Sequence, residues 1–214
     1  MCYHIKPVTA DKAQAAFDAL FSRPEALDPK KHFTNGFDHP NLNIITNEKR
    51  NEFTSALWGL VPEWNQATPK EFYSKSNTLN ARIEELHEKR SYKDYTANRC
   101  IIPVHSFKEF QHQANSKTKV PYEIVRTDNC VIGLAGIYSI WDGLPTFTIM
   151  MTEANELMAE IHNSALRMPV VLNPDEHAAW LNNEIVEEFF DRTKIELTAH
   201  RIIPEAPQEQ MSLF

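Results

Sequence analysis

Short stretches rich in β-branched and aromatic residues recur along most of the chain and are separated by polar turns. These stretches predict β-strands at residues 41–47, 53–58, 99–104, 120–126, 130–138, 144–151 and 195–203. Residues 65–98 are polar and lack a strong period, so we expect loops and short helices there. Many short strands with helices clustered at the ends predict an α+β fold on a mainly antiparallel sheet, which could curl into a barrel.

Helical signals are confined to a few segments. A helix capped by Thr9 is predicted from one apolar face, which is formed by Ala13, Phe17, Leu20 and Phe21. Three later helices are expected at residues 152–162, 174–182 and 184–192. The middle one has the strongest signal, because Asn-Pro-Asp-Glu at 173–176 has the form of a capping box with proline at the first helical position.

Composition favours one domain. The chain has 214 residues, of which 42% are hydrophobic, enough for one substantial core. No apolar run approaches the roughly 20 residues of a membrane span, and the first dozen residues lack the apolar stretch of a secretory signal. We therefore expect a monomeric cytoplasmic protein with no membrane association. Residues 1–203 are predicted to form the domain, and the Pro/Glu/Gln-rich residues 204–214 a flexible tail.

Charge is distributed unevenly along the chain. The net charge is −7, yet residues 49–126 hold 13 Lys and Arg against 9 Asp and Glu. Most of the unusual motifs fall in or beside this basic block. The block is either a nucleic-acid-binding surface or an ordinary solvated face, and charge alone does not separate the two.

Three cysteines without a Cys-x-x-Cys pair argue against a disulfide framework or a structural zinc site, and we expect neither metal nor cofactor. Cys100 and Cys130 lie in apolar runs and are predicted to be buried structural thiols. Cys2 directly follows the initiator methionine and lacks such a neighbourhood. It is either incidental or a residue meant to become the N-terminus, since a small second residue permits removal of methionine.

An N-terminal cysteine has a chemistry that no internal residue offers. Its α-amine, with a pKa near 8, and its thiol, with a pKa of about 8.5, form a 1,2-aminothiol that is reactive close to neutral pH. The amine can condense with an aldehyde to an imine, and the thiol can then close onto that imine as a thiazolidine. Cys2 is therefore our candidate covalent nucleophile.

Further motifs carry candidate site residues. Trp58 and Trp64 enclose a Gly-Leu-Val-Pro-Glu segment and are either core residues or a stacking platform for unpaired bases. Asn80-Ala81-Arg82 offers an amide and a guanidinium that can hold a sugar and a phosphate. Glu109 lies among aromatic residues, where burial raises a carboxyl pKa towards neutrality and suits proton transfer.

His162 ends a predicted helix shortly before Arg167-Met168-Pro169. Taken with the segments above, this order resembles the SRAP family, the abasic-site processing proteins once described as SOS response-associated peptidases. The resemblance runs from Cys2 to about Leu172. It combines Met-Cys, Trp-Gly-Leu-Val-Pro-x-Trp, Asn-Ala-Arg, Arg-Cys-Ile-Ile-Pro followed by Phe-x-Glu, and His before Arg-Met-Pro.

The resemblance implies the SRAP fold, a β-rich, barrel-like core with peripheral helices. It also implies a covalent thiazolidine crosslink with abasic sites in single-stranded DNA, and strand-cleaving and self-processing peptidase activities that would use the same site. It implies that Cys2 forms the bond, Asn80 holds the opened sugar, Glu109 exchanges protons with the α-amine and His162 acts on the sugar oxygen. It further implies DNA contacts through Arg82, Arg167, Trp58 and Trp64.

This sequence departs from the family pattern at three places. Tyr3-His4 replaces the usual Gly-Arg, Phe110 replaces a Trp after Glu109, and the spacing from His162 to Arg167 is longer than usual.

Three other functions stay open. Cys2 could serve an N-terminal-nucleophile amidohydrolase, with its own amine as base. A helix through His105, Glu109 and His112 would place all three on one face as a metal site, although the sequence before them favours a strand. Finally, the protein could bind DNA without chemistry.

The extreme C-terminus, Gln-Met-Ser-Leu-Phe, resembles the peptides by which bacterial repair proteins dock on the polymerase sliding clamp. In that reading Gln210 takes a polar notch while Leu213 and Phe214 fill an apolar pocket. The alternative is that the apolar pair folds back onto the domain.

Overall fold

The computed structural model describes residues 2–8, 33–114 and 116–203. The predicted helix from Thr9 and the predicted tail from residue 204 lie outside the described residues. Within them, no helix is long and apolar enough to cross a membrane.

Strands dominate the described residues. They are β1 (His4–Pro7), β2 (Thr34–Asn35), β3 (Asn41–Thr46), β4 (Thr54–Trp58), β5 (Asn80–Arg82), β6 (Arg99–His112), β7 (Lys119–Arg126), β8 (Ile132–Trp141), β9 (Leu144–Glu153), β10 (Arg167–Pro169), β11 (Val171–Leu172) and β12 (Leu197–Arg201). The α-helices are α1 (Pro69–Tyr73), α2 (Glu156–Ile161) and α3 (Glu176–Leu181). The 3-10 helices are Gly36–Asp38, Ile83–Glu85, Lys93–Tyr95 and Val186–Phe189.

Five strands close into a barrel. Going round it, β8 pairs with β9, β9 with β4, β4 with β3, β3 with β6, and β6 pairs back to β8. Only the β4–β9 pairing in this ring is parallel. The other strands extend the sheet at its edges, so the prediction of a mainly antiparallel, barrel-like α+β fold is confirmed.

The barrel strands are apolar on both faces, and alternate residues enter two different clusters. Ile44 and Ile102 belong to an inner cluster that draws on all five barrel strands, whereas their neighbours Ile45 and Ile101 belong to an outer cluster. The outer cluster also contains Trp180 of α3 and therefore lies between barrel and periphery. Double-sided burial explains why these strands are continuous apolar runs rather than alternating ones.

Several predicted boundaries are corrected. The helix expected from residue 152 begins only at Glu156, because β9 continues to Glu153 and Asn155 caps the helix by accepting from the Met158 N–H at 3.0 Å. Helix 174–182 begins at Glu176, after the proline rather than with it. The segment expected as helix 184–192 contains only the 3-10 helix Val186–Phe189.

β6 and β5 also differ from expectation. β6 continues to His112, so Glu109 lies on a strand and the helical geometry required for a His105–Glu109–His112 metal site is absent. No cluster of three potential metal-ligating residues occurs among the described residues. β5 was predicted as loop, and it is a strand because it pairs in parallel with Ile149–Met151 of β9.

Candidate functional site

Cys2 lies directly before β1, and it is completely buried within the inner cluster. The antiparallel pairing of β1 with β6 brings this end of the chain beside residues about a hundred positions away, with Ile5 opposite Phe107. Burial raises the pKa of the Cys2 thiol, and the nearby carboxylate of Glu109 raises it further. The sulfur is therefore held as a thiol and needs a partner that can accept its proton.

Asn80 on β5 contacts Cys2 directly. Its side-chain Nδ2 donates to the Cys2 carbonyl at 2.9 Å, while its own backbone carbonyl accepts from the Tyr92 hydroxyl at 3.3 Å. The Asn80 Oδ1 is buried and accepts no hydrogen bond from the described residues. A buried acceptor without a hydrogen bond lowers the stability of the fold unless a ligand donates to it. The Oδ1 atom is therefore a candidate contact for a substrate hydroxyl.

Glu109 on β6 is the candidate proton-transfer group. Its side chain is almost entirely buried, and this burial raises the pKa of the carboxyl to about 7. A carboxyl that titrates near neutrality can both accept and return a proton under physiological conditions. The structure thus agrees with the prediction that burial raises the pKa of the Glu109 carboxyl.

His162 lies directly after α2 and faces Glu109, with 3.9 Å between His162 Nε2 and Glu109 Oε2. Its Nδ1 lies 2.7 Å from the Arg167 carbonyl, which can only accept, so the neutral ring carries its proton on Nδ1 and presents Nε2 as an acceptor. Burial lowers the pKa of the imidazole and raises that of the carboxyl. Burial therefore favours the neutral form of both groups.

The two candidate phosphate-binding arginines differ in exposure. Arg167 donates to both oxygens of Glu84, at 2.9 and 2.8 Å, and its side chain is only 16% exposed. The Arg82 side chain is 60% exposed and pairs with Glu85 at 3.0 Å. Arg82 is therefore open to an incoming phosphate, whereas Arg167 is already held by a bidentate ion pair.

The predicted two-ring stacking platform is not formed. Trp58 is fully buried in the inner cluster, where its Nε1 donates to the Leu79 carbonyl at 2.9 Å and its ring stacks on Phe147. Its ring cannot contact a base, so this part of the prediction is wrong. Trp64 lies beyond the end of β4 and is 43% exposed, with the Arg90 guanidinium 4.4 Å from its ring centre.

Two residues that contact the site were missed from the sequence. Tyr92 supports Asn80, and it lies in the aperiodic polar stretch where nothing distinguishes it from other tyrosines. Glu84 orders Arg167 and, at 3.3 Å, accepts from the Thr152 hydroxyl. Its position two residues after Arg82 was a possible signal, but its partner lies 83 residues away.

One end of the barrel thus assembles four of the predicted residues: Cys2, Asn80, Glu109 and His162. Together they offer a thiol, a carboxyl with a near-neutral pKa, a neutral imidazole and an open amide acceptor. This set suits nucleophilic addition to a carbonyl group with local proton transfer. Of the other cysteines, Cys100 is buried as expected, whereas Cys130 is exposed, so the prediction of a buried Cys130 is wrong.

Comparisons with known proteins agree on one family. A family model described as "SOS response associated peptidase (SRAP)" matches residues 1–205. The abasic site processing protein YoaM of Bacillus subtilis is 34% identical over 78% of this chain and 76% of its own length. The abasic site processing protein YoqW of the same organism is 38% identical over 66% of this chain and 62% of its own length.

The fold has solved relatives. A crystal structure of a Bacteroides thetaiotaomicron protein superposes with a TM-score of 0.83 at 28% identity, covering 94% of this chain and 92% of that one. A structure from Bordetella bronchiseptica superposes with a TM-score of 0.80 at 21% identity, over 95% of this chain and all of that one. At that identity the second likeness concerns the fold alone.

Proposed function

Because this chain belongs to the SRAP family, whose relatives YoaM and YoqW are named abasic site processing proteins, we propose that it processes abasic sites in single-stranded DNA by bonding covalently to them through Cys2. The observation that carries the proposal is the convergence of Cys2, Asn80, Glu109 and His162 at one end of the barrel. The covalent step requires removal of Met1, because the α-amine of Cys2 is one of the two reacting groups.

The chemistry follows from the aminothiol. The α-amine condenses with the aldehyde of the ring-opened deoxyribose, which forms an imine and releases water. The Cys2 sulfur then adds to the imine carbon while the imine nitrogen gains a proton, and the product is a thiazolidine. No oxidation or reduction occurs. Both nucleophiles belong to one residue, so a single-residue shift of the chain end would abolish the reaction.

The neighbouring groups have matching roles. Glu109 accepts a proton from the α-ammonium or the thiol and returns it during ring closure, which suits a carboxyl with a pKa of about 7. Asn80 offers its open Oδ1 to a hydroxyl of the sugar. His162, with Nε2 as acceptor, assists opening of the sugar ring and its reversal.

The proposed DNA contacts come from Arg82, Trp64, Arg90 and Arg167. Arg82 is exposed and is proposed to bind a phosphate, and Trp64 with Arg90 borders the path of the strand. Arg167 is proposed to act at a phosphate as well, in exchange for part of its ion pair with Glu84. Such contacts make noncovalent binding weaken as salt rises.

Two further activities use the same groups. From the imine, loss of a proton at C2′ would break the C3′–O bond and cleave the strand beside the lesion. In a self-processing peptidase step, the Cys2 sulfur would attack the Met1 carbonyl and take over the Met1 acyl group as a thioester, which frees the Cys2 α-amine. Hydrolysis of that thioester by water would then release methionine and restore the thiol. We propose both activities, and their products distinguish them. Strand cleavage releases a shortened DNA strand, whereas self-processing releases free methionine.

Intact mass spectrometry of the protein after incubation with an abasic oligonucleotide tests the proposal. The expected product is a species that has the combined mass less one water and survives denaturation. Single-stranded substrate should react much faster than an intact duplex in the same buffer. Equal rates on both forms would contradict the preference for single-stranded DNA. A complex that dissociates on denaturation would contradict the covalent step and favour a binding module.

An N-terminal-nucleophile amidohydrolase is the second candidate, since it also needs a terminal cysteine. Steady hydrolysis of glutamine by the purified protein, without any DNA adduct, would favour it. Under our proposal the same preparation forms the adduct and releases no ammonia from glutamine.

The clamp-binding tail is a separate proposal. Gln210, Leu213 and Phe214 lie outside the described residues, so the proposal depends on their sequence alone. Tethering to a clamp would raise the local concentration of the site at stalled forks, where abasic sites meet single-stranded DNA. Deleting residues 210–214 should remove binding to a bacterial clamp and leave crosslinking to free oligonucleotides intact. A synthetic tail peptide without saturable binding at high micromolar concentration would contradict it.

A further inference from the structure

An aromatic pair lies directly beside Cys2. The rings of Tyr3 and Phe37 are 4.6 Å apart at an interplanar angle of 40°, and Phe37 is 55% exposed. The pair therefore presents an exposed aromatic ring in contact with the residue that follows the candidate nucleophile. We name these two residues the Tyr3–Phe37 pair.

The backbone around Phe37 is firmly held. Phe37 is in the 3-10 helix Gly36–Asp38, and its N–H donates to the side chain of Asn35 at 3.2 Å. The Gly36 N–H donates to the Tyr3 carbonyl at 2.8 Å. Gly36 also packs on the buried Trp58 ring so closely that an added Cβ would lie 3.1 Å from it. The exposed ring is therefore presented by an ordered turn and is organised before any ligand arrives.

Tyr3 connects this turn to the reactive end of the barrel. It is bonded to Cys2, and its hydroxyl lies 3.4 Å from Nδ2 of Asn77, three residues before Asn80. Burial raises the pKa of the Tyr3 phenol, and the nearby Glu109 carboxylate raises it as well. Tyr3 thus lies between the exposed Phe37 ring and the groups proposed to bind the opened sugar.

We propose that the Tyr3–Phe37 pair stacks on the nucleobase adjoining the abasic nucleotide. The proposal rests on the proposed function, because it takes the strand that Cys2 attacks as the ligand. A base fits better than a protein partner, since the exposed aromatic surface is a single ring next to a buried nucleophile. Stacking here would hold the lesion over Cys2.

The test compares Phe37→Ala with the wild type on two abasic oligonucleotides. One carries ordinary bases on both sides of the abasic site, and the other carries baseless spacers there. Loss of a stacked base corresponds to about 5- to 150-fold in affinity, so crosslinking at low protein concentration should slow by that factor on the first oligonucleotide. On the second, Phe37→Ala and wild type should react alike.

Two control variants accompany it. Ile185→Ala removes a residue that is 66% exposed elsewhere on the surface and should change neither rate. Tyr3→Phe keeps the ring and loses the hydroxyl, so it should retain the preference for a flanking base. If Phe37→Ala loses the same factor on both oligonucleotides, or loses nothing on either, the stacking proposal is wrong.

A readout without crosslinking separates this proposal from the proposed function. In the Cys2→Ala background, 2-aminopurine placed beside the abasic site should change its fluorescence on binding, and Phe37→Ala should remove that change. A wild type that forms no adduct would refute the covalent function and leave this measurement intact. Unchanged 2-aminopurine fluorescence on saturable binding would refute the stacking.

Discussion

Cys2 and Cys100 lie in the same inner cluster, and neither thiol is exposed to solvent. Burial raises the thiol pKa of both. For Cys100 burial alone raises the thiol pKa, and Gly136 lies close against its sulfur. Around Cys2 the neighbours include the amide of Asn80 and the carboxyl of Glu109. Burial is thus common to both thiols. The proposed reactivity of Cys2 depends instead on the polar groups beside it and on its position at the end of the chain.

The largest expected effect separates the two cysteines outright. Cys2→Ala should abolish the DNA adduct that survives denaturation, because only the N-terminal aminothiol closes a thiazolidine. Cys100→Ala removes an equally buried thiol and should leave the adduct intact, apart from lower stability. Gel shift under denaturing conditions measures both. An adduct that persists in Cys2→Ala, or disappears in a folded Cys100→Ala, would falsify the assignment of the nucleophile.

The next effect concerns Glu109, which has no counterpart beside Cys100. Glu109→Gln preserves size and removes the titrating group, so crosslinking should slow by about 10²- to 10⁴-fold. The wild-type rate should rise with pH through about 7, because the carboxylate that accepts the proton predominates above its pKa. The variant should lack that rise. Single-turnover rates between pH 6 and 8 test this, and a wild-type rate in the variant throughout that range would contradict it.

The same carboxyl should affect stability. Its folded pKa is about 7, whereas a carboxyl in the unfolded chain titrates near 4.3, so between these values the folded protein keeps a proton that the unfolded chain has released. Stability therefore falls as pH rises through this window, by about 4 kcal/mol at most. Glu109→Gln does not titrate and should be more stable than wild type at pH 8, with little difference at pH 5.

Urea unfolding at both pH values measures that difference. Glu123→Gln is the matched control, because Glu123 accepts from Ser106 at 2.6 Å and Lys6 at 3.3 Å and should lose stability when neutralised. If Glu109→Gln changes stability equally at pH 5 and pH 8, the fold does not disfavour the ionised form of Glu109. The contrast between the Cys2 and Cys100 regions is then weaker than we propose.

The two cysteine regions also differ in how far sequence predicts them. The strands around Cys100 follow from their apolar runs, and the α+β class follows from the order of strands and helices along the chain. Burial of Cys2 does not, because it depends on β1 pairing with a strand a hundred residues away. β5 shows the same limit, since three residues in a polar stretch become a strand only by pairing with β9.

Site residues were predictable where local chemistry carried them. Glu109 among aromatics indicated a raised pKa, and the order of motifs indicated the family. The motif containing Trp58 and Trp64 does not indicate which of the two tryptophans is buried and which is exposed. Trp58 shares the inner face of β4 with Ala56, two residues before it, whereas Trp64 lies past the strand end. That register is fixed by pairing on both edges of β4, which a single sequence does not display.

The smallest expected effect tests the packing around Cys100. A Cβ on Gly136 would lie 3.0 Å from the Cys100 sulfur, 2.6 Å from Cδ1 of Ile102 and 2.7 Å from the Thr148 carbonyl oxygen. Gly136→Ala should therefore lower the free energy of unfolding by about 1–3 kcal/mol, as overpacking does. Its crosslinking rate per folded molecule should equal that of wild type, because this region holds none of the reacting groups.

The cause of that loss can be divided by a second substitution. The sulfur and the isoleucine methyl belong to side chains, whereas the Thr148 oxygen belongs to the backbone of β9, which is paired to β8 on one side and to β5 on the other. Adding Cys100→Ala to Gly136→Ala should consequently restore only part of the lost stability. Full recovery would mean that the thiol alone limits the space at Gly136. A slower crosslinking rate in folded Gly136→Ala would mean that the two regions are coupled through β6, because Cys100 and Glu109 lie on that same strand.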